Sequence, residues 1–187
     1  MTEDVSAYDA ALVLARELER RGLPYAIGGA LAFGVWSNPR NTNDVDLNIF
    51  VDDSRLDEAF AALEAAGTTL DRAQARRDSA RQGMFVGQFA GYRIDVFTPS
   101  IDFSHEAART RRRVTVGDEA FDFLSPEAIG LFKLMFFRGK DRVDLERLVA
   151  SQPGLDRSYV RAHLLAWFKE DDARVKFWDA LVAQFPP

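Results

Sequence analysis

The sequence predicts an α+β domain, or a closely related α/β one, with a small mixed sheet flanked by helices and a helical C-terminal region. Three observations predict it. Apolar residues recur at helical spacing between residues 6 and 21, and again from residue 125 onward. Between those stretches lie short alternating or apolar runs bounded by Gly, Pro, Asn and Asp, as strands are. Finally, 187 residues with 47% apolar composition suit one domain, or one domain with a small helical appendage. The expected division is a core over residues 1–124 and a helical region over 125–187 packed on it.

The elements follow in order. Ala10, Leu12, Val13, Leu14 and Leu18 line one helix, which Gly22 stops. "LPYAIGG" reads as a short buried strand ending on glycines, "ALAFGVW" as a short helix and "NPRNTN" as a turn. "DVDLNIFV" alternates strictly, with Asp44, Asp46 and Asn48 on one face and Val45, Leu47 and Ile49 on the other. "SRLDEAFAALEAAG" reads as a helix capped by Ser54 and stopped at Gly67. Residues 68–81 are polar and rich in arginine, with no clear assignment. "GMFVGQFAGYRIDVFTPS" reads as two strands turning near Ala90-Gly91, residues 102–112 as a helix, and "VTVGDEAFDFL" as a second hairpin. Ser125 and Pro126 mark a helix start, and the helical pattern beyond them breaks at Gly139, at residues 152–154 and near 170–172.

Composition narrows the chemistry. There is no cysteine, and His105 and His163 do not stand at metal-ligand spacing, so any metal must be held by oxygen: Mg2+, Mn2+ or Ca2+. No apolar run is long enough for a membrane span. The start, "MTEDVSAYDAALVLARELERRG", is acidic and amphipathic rather than signal-like, which predicts a cytoplasmic protein. The net charge of −5 is unevenly spread: residues 1–71 hold 5 basic and 13 acidic side chains, and residues 72–113 hold 9 and 4. All nine basic residues of that middle stretch are arginine, which binds phosphate with a planar fork. Two readings stand: Arg109, Arg111, Arg112 and Arg113 grip RNA phosphates, or the stretch is a solvated surface that balances the acidic first third.

Asp44 and Asp46 pose the sharper question. Two residues apart on a strand, they point the same way, with Cα atoms about 6–7 Å apart. A divalent cation would supply the positive charge that such a pair lacks. Asp95 lies in the apolar strand "YRIDVF", and an acid there needs a partner. Were its strand beside that of Asp44 and Asp46, three carboxylates would converge and could hold two Mg2+ ions about 4 Å apart. Gly28 and Gly29 follow a strand and precede a helix, where backbone N–H groups can approach a phosphate.

These residues carry a resemblance. The Gly28-Gly29 pair, then R-x-T-x-D-x-D-L from Arg40 through Thr42 to Leu47, then a lone Asp in a later apolar strand, resembles the polymerase-β-like nucleotidyltransferase superfamily. Within it the chain is most similar to the AbiEii-type abortive-infection toxins, whose downstream motif resembles "LFKLMFFRGKDRVDLERL" over residues 131–148. The resemblance implies Asp44 and Asp46 as the metal pair and Asp95 as third ligand or general base. It implies Gly28 and Gly29 as phosphate cradle, Lys133 as a catalytic residue that contacts the triphosphate, Arg40, Thr42, Lys140 and Asp141 as nucleotide-binding residues, and Asp141 and Asp144 as members of the downstream motif with structural or nucleotide-contacting roles. The family often has serine where Gly29 stands. An NTP such as ATP would be co-substrate with Mg2+ or Mn2+. The acceptor would be a tRNA 3′ end or a protein hydroxyl, and a cognate antitoxin a possible partner.

Each assignment has a plainer counterpart. Asp44 and Asp46 would be ordinary surface acids, and Asp95 the partner of Arg93 or Arg40. Lys133 would snorkel from a core helix. Lys140 and Asp141 would form a solvated helix start with Asp141 as N-cap. His105, His163, Trp167, Phe168, Phe177 and Trp178 would be surface or packing residues. Two further functions compete with macromolecular transfer. One is transfer to a small molecule, because antibiotic nucleotidyltransferases share the core motif and an acidic protein suits a cationic drug. The other is a non-catalytic nucleotide-binding module.

Overall fold

The computed structural model describes residues 5–186. The acidic residues 3 and 4 at the start of the N-terminal stretch lie outside them. The chain divides into two compact units. One runs up to Ala32 and resumes over Arg40–Leu124; the other comprises Phe33–Pro39 and the chain from Ser125 onward.

The first unit opens on α1 (Ala7–Arg20), started by a capping box. Ser6 Oγ accepts from Asp9 N at 3.1 Å, and Asp9 Oδ2 accepts from Ser6 N at 3.3 Å. Strands β1 (Tyr25–Ile27) and β2 (Asp44–Ile49) follow, separated by α2 (Gly29–Trp36). Next come α3 (Leu56–Ala65), α4 (Arg72–Gln82), β3 (Met84–Phe89), β4 (Tyr92–Phe97), α5 (Asp102–Thr110), β5 (Arg112–Val116) and β6 (Glu119–Phe123). Among the described residues the strands form one six-stranded mixed sheet in the order β3-β4-β2-β1-β6-β5. β2 is antiparallel to β1 and parallel to β4. This is the α+β architecture with a small mixed sheet that the sequence predicts.

The alternation in β2 sets its register. Val45, Leu47 and Ile49 are fully buried, while Asp44 and Asp46 are half-buried. A slip by one residue would turn the acids into the core, so the pairing is fixed by burial. The β3–β4 turn uses Ala90 at φ 50° and Gly91 at φ 85°, the left-handed pair that a two-residue hairpin requires.

Three local expectations are corrected. Residues 68–81, left without assignment, contain most of α4, capped by Asp71. Only Ala75 and Ser79 of α4 are buried, so it shows no apolar stripe. Ser54 is not a helix cap: Asp52 caps a short 3₁₀ turn ahead of α3, its Oδ1 accepting from Ser54 N at 3.1 Å. The helix expected over 102–112 ends at Thr110, and the second hairpin begins two residues before Val114, at Arg112.

The second unit holds α6 (Pro126–Phe136), α7 (Gly139–Ser151), α8 (Arg157–Trp167) and α9 (Ala173–Gln184). Ser125 caps α6, its Oγ accepting from Ala128 N at 3.1 Å, with Pro126 in the first turn. Leu131, Leu134, Leu145, Leu148, Val160, Leu164, Val175 and Trp178 form its core. No helix among the described residues is long and apolar enough to cross a membrane.

Candidate active site

The parallel pairing of β2 with β4 places Asp46 opposite Asp95, and Asp44 opposite Arg93. Register partners on neighbouring strands share a face, as do residues two apart on one strand. Asp44, Asp46 and Asp95 therefore stand on one face of the first unit's sheet. That is the adjacency on which the convergence of three acids depends.

The neighbours of each acid are specific. Thr42 Oγ1 donates to Asp44 Oδ1 and, at 3.2 Å, to the Asp44 carbonyl. Arg93 Nε donates to Asp95 Oδ1 at 2.8 Å. Asp46 lies against the glycine pair. A Cβ on Gly29 would stand 1.8 Å from Asp46 Oδ2, and one on Gly28 would stand 2.7 Å from Asn48 Nδ2. Gly29 also sits at φ 52°, where a side chain is strained. So the pair is glycine first because Asp46 and Asn48 occupy the space side chains would need. Where the resembling family often has serine, this chain could not carry one without moving Asp46. Gly28 N is already engaged, donating to the Asp46 carbonyl at 2.9 Å. Backbone donors for an anion would come from Gly29 onward, at the start of α2.

The donor set suits a hard divalent cation in kind: oxygen only, three carboxylates, one face. As the side chains stand, no group of three or more acidic or imidazole residues among those described is placed to hold a metal ion. Asp95 already accepts from Arg93 and Asp44 from Thr42, so a cation on this face would share these carboxylates with those donors or displace them.

The other sequence-selected residues divide between the units. Arg40 is exposed in the first. Lys133, Lys140, Asp141 and Asp144 belong to the second. Lys133 does not snorkel: its side chain is 12% exposed, with Nζ 2.6 Å from Asp144 Oδ2 and 3.9 Å from Asp141 Oδ1. Its ammonium also stands 5.3 Å from the centre of the Phe33 ring. Asp141 is neither solvated nor the N-cap. It is the third residue of α7, 1% exposed, and accepts from Arg138 N at 3.0 Å and Arg138 Nε at 2.7 Å. Burial pushes its pKa up, but the Arg138 hydrogen bonds and the charges of Arg138 and Lys133 outweigh burial and hold it below the ordinary value. Lys140 is exposed. His163 packs edge-on against Tyr159 and at a tilt against Trp167, with centroids 4.5 and 5.5 Å apart.

The arginines of the middle stretch are largely engaged with acids of this chain. Arg72 pairs with Glu64, Arg76 with Asp57 at 2.6 Å, Arg109 with Glu106 at 2.6 Å and Arg111 with Asp122 at 2.8 Å. Arg113 reaches Glu19 at 2.5 Å and Asp122 at 3.4 Å. Its hydrogen bond to Glu19 raises its already high pKa, against the opposing effect of burial. Several of these acids come from the acidic first third. Two features of the site escaped sequence reasoning: the Thr42 bond to Asp44, and the fit of Asp46 and Asn48 against the glycines. Only the shared parity of Asp44, Asp46 and Asn48 pointed to the second.

With this geometry in hand, the fold is that of the nucleotidyltransferases. The chain is similar to the antibiotic-resistance factor ANT(2'')-Ia in solution, with a TM-score of 0.60 at 15% identity, covering 88% of this chain and 92% of that one. It is similar to the crystal structure of ANT(2'')-Ia in complex with adenylyl-2''-tobramycin, with a TM-score of 0.53 at 15% identity over 96% and 98% of the two chains. An antigenic nucleotidyltransferase-like protein from Paracoccidioides brasiliensis aligns with a TM-score of 0.47 at 16% identity, over 94% of each chain. No family model and no curated protein sequence matches the chain.

Proposed function

We propose that the chain is a nucleotidyltransferase that moves a nucleoside monophosphate from an NTP to an acceptor hydroxyl, releasing pyrophosphate. The observation that carries this is the register of Asp46 against Asp95, with Asp44 two residues earlier on the same face. Mg2+ or Mn2+, when bound, would offset the charge of the triphosphate and make the acceptor oxygen a better nucleophile. Asp44, Asp46 and Asp95 would hold it, with Thr42 fixing the Asp44 carboxylate. Asp95 would be third ligand or would take the acceptor proton. The first-turn N–H groups of α2, beginning at Gly29, would receive phosphate oxygens. Lys133 and Asp141 have their charges met within the second unit, which supports a structural role for them over contact with the triphosphate.

For the acceptor we favour a small cationic molecule over tRNA or a protein. The arginine stretch that suggested RNA is engaged with internal acids, and the net charge of −5 suits a cation. One solved neighbour, ANT(2'')-Ia, is in complex with adenylyl-2''-tobramycin. The toxin role, with its antitoxin, rests on the AbiEii-like motifs alone. The test is incubation with each α-³²P NTP, Mg2+, and an aminoglycoside, total tRNA or total cell protein, beside Asp46→Asn. Label on the aminoglycoside that the variant loses supports the reading. Label on RNA or protein replaces its acceptor, and label unaffected by Asp46→Asn removes the proposed site.

A further inference from the structure

Some paired arginines of the first unit link separate elements, and others, such as Arg20 with Glu17, Arg81 with Asp78 and Arg109 with Glu106, stay within one helix; Arg93 is set apart by the acidic face on which its partner stands. Arg16 with Glu119, Arg72 with Glu64, Arg76 with Asp57 and Arg113 with Glu19 each join separate elements of the first unit. Arg93 and Asp95 are two residues apart on one strand, so their pair ties no elements together. The guanidinium side chain is 53% exposed and the carboxylate 15% exposed. With the cation so open to water, the pair adds less than one buried on both sides. Yet Arg93 stands opposite Asp44 in the register, on the face that carries all three acids. A local, solvent-facing pair adds little to the fold, but it puts a positive charge where a divalent cation would go.

We propose that Arg93 is a positioning residue of the acidic face: a built-in counter-ion that competes with a divalent cation for Asp95 and is displaced when the cation arrives. This rests on the nucleotidyltransferase reading of that face. Two consequences follow from the charges. Cation affinity in the absence of nucleotide is held down, because a cation beside Asp95 competes with the 2.8 Å Arg93–Asp95 bond and sits near a like charge. The guanidinium so released is a fork suited to phosphate oxygens, so the cation and the triphosphate assist one another.

The test needs no turnover. Mn2+ alone is titrated into the full chain, with free Mn2+ followed by electron paramagnetic resonance, for wild type, Arg93→Gln, Arg93→Lys and Asp46→Asn. Arg93→Gln is expected to bind Mn2+ about three- to tenfold more tightly than wild type, and Arg93→Lys to stay within about twofold of it, because the charge is kept. The thermal midpoint of Arg93→Gln should lie within about 2 °C of wild type. Equal or weaker Mn2+ binding by Arg93→Gln, with Asp46→Asn binding lost, overturns the counter-ion role and leaves the acidic site standing. Equal tightening by Lys and Gln overturns charge competition, and a large fall in midpoint makes the pair a fold element. Should Asp46→Asn bind Mn2+ as wild type does, the acidic site itself fails, and the role of Arg93 with it.

Discussion

The protein contains two clusters of aspartates that look alike in sequence and differ in the fold. On β2 and β4, Asp44, Asp46 and Asp95 are half-buried. On α7, Asp141 and Asp144 are 1% and 4% exposed. The second cluster is met by cations from its own unit, Lys133 at 2.6 Å from Asp144 and Arg138 at 2.7 Å from Asp141. A buried carboxylate persists only with such a partner, because desolvation is costly. The half-buried acids keep access to solvent, and the guanidinium beside Asp95 is mostly exposed. Acids with buried, fixed partners hold a structure together; acids at a solvent-facing strand surface can exchange theirs for a ligand.

The comparison breaks first at its functional end. Asp46→Asn removes one negative charge from the half-buried face while keeping the side chain's shape. Nucleotide transfer should fall about 10³-fold, as when a key electrostatic group leaves an active site. The thermal midpoint should move little. If activity persisted, the two clusters would both be structural.

Lys133→Ala probes the other end. It removes the lysine 2.6 Å from buried Asp144, and breaking a buried ion pair by removing one partner costs about 3–5 kcal/mol. Denaturant unfolding should show that loss. A variant as stable as wild type would mean the lysine is not the partner that keeps those acids charged, and would return it to the list of candidate phosphate contacts.

Gly29→Ala sharpens the contrast at the acidic face. Its Cβ would stand 1.8 Å from Asp46 Oδ2, and φ 52° is unfavourable for alanine. Strain and a displaced carboxylate together should destabilise the fold by about 1–3 kcal/mol. Mn2+ affinity should change in the same variant. An alanine accepted without loss would show that Asp46 has another place to go.

Much of the fold could be read from local rules. The capping box at Ser6, the Ser125-Pro126 start and the Val45, Leu47, Ile49 alternation are signals within a few residues of each other, and each matches the observed element. For the site, the parity of Asp44 and Asp46 put them on one face, but only the β2–β4 pairing could bring Asp95 to them. That pairing joins residues far apart in sequence, and no local pattern encodes it. The same limit hid the function of the arginine stretch. Its excess charge resembled a ligand surface because its partners lie elsewhere: Glu19 is 94 residues from Arg113, and Asp57 comes from another helix than Arg76. The chain had separated its charges in sequence and rejoined them in space. Helix α4 was missed for a related reason, because a helix that buries only Ala75 and Ser79 carries no apolar period.

The smallest effect concerns acid. Asp141 has its pKa held below its ordinary value of 3.8, because its bonds to Arg138 and the charges of Arg138 and Lys133 together exceed the opposing cost of burial. A group depressed in the folded chain binds its proton more readily when unfolded, so stability rises with pH through this range. The contribution is therefore complete above about pH 5 and is lost as pH falls through 3.8 toward the folded value. Each tenfold difference in proton affinity between folded and unfolded chain is worth about 1.4 kcal/mol. Unfolding free energies measured from about pH 6 down to 3 should fall less steeply in Asp141→Asn than in wild type. An acid limb as steep in Asp141→Asn as in wild type would show that the Arg138 bonds do not hold this carboxylate below its ordinary value, and would remove the buried cluster's claim to be a fold element.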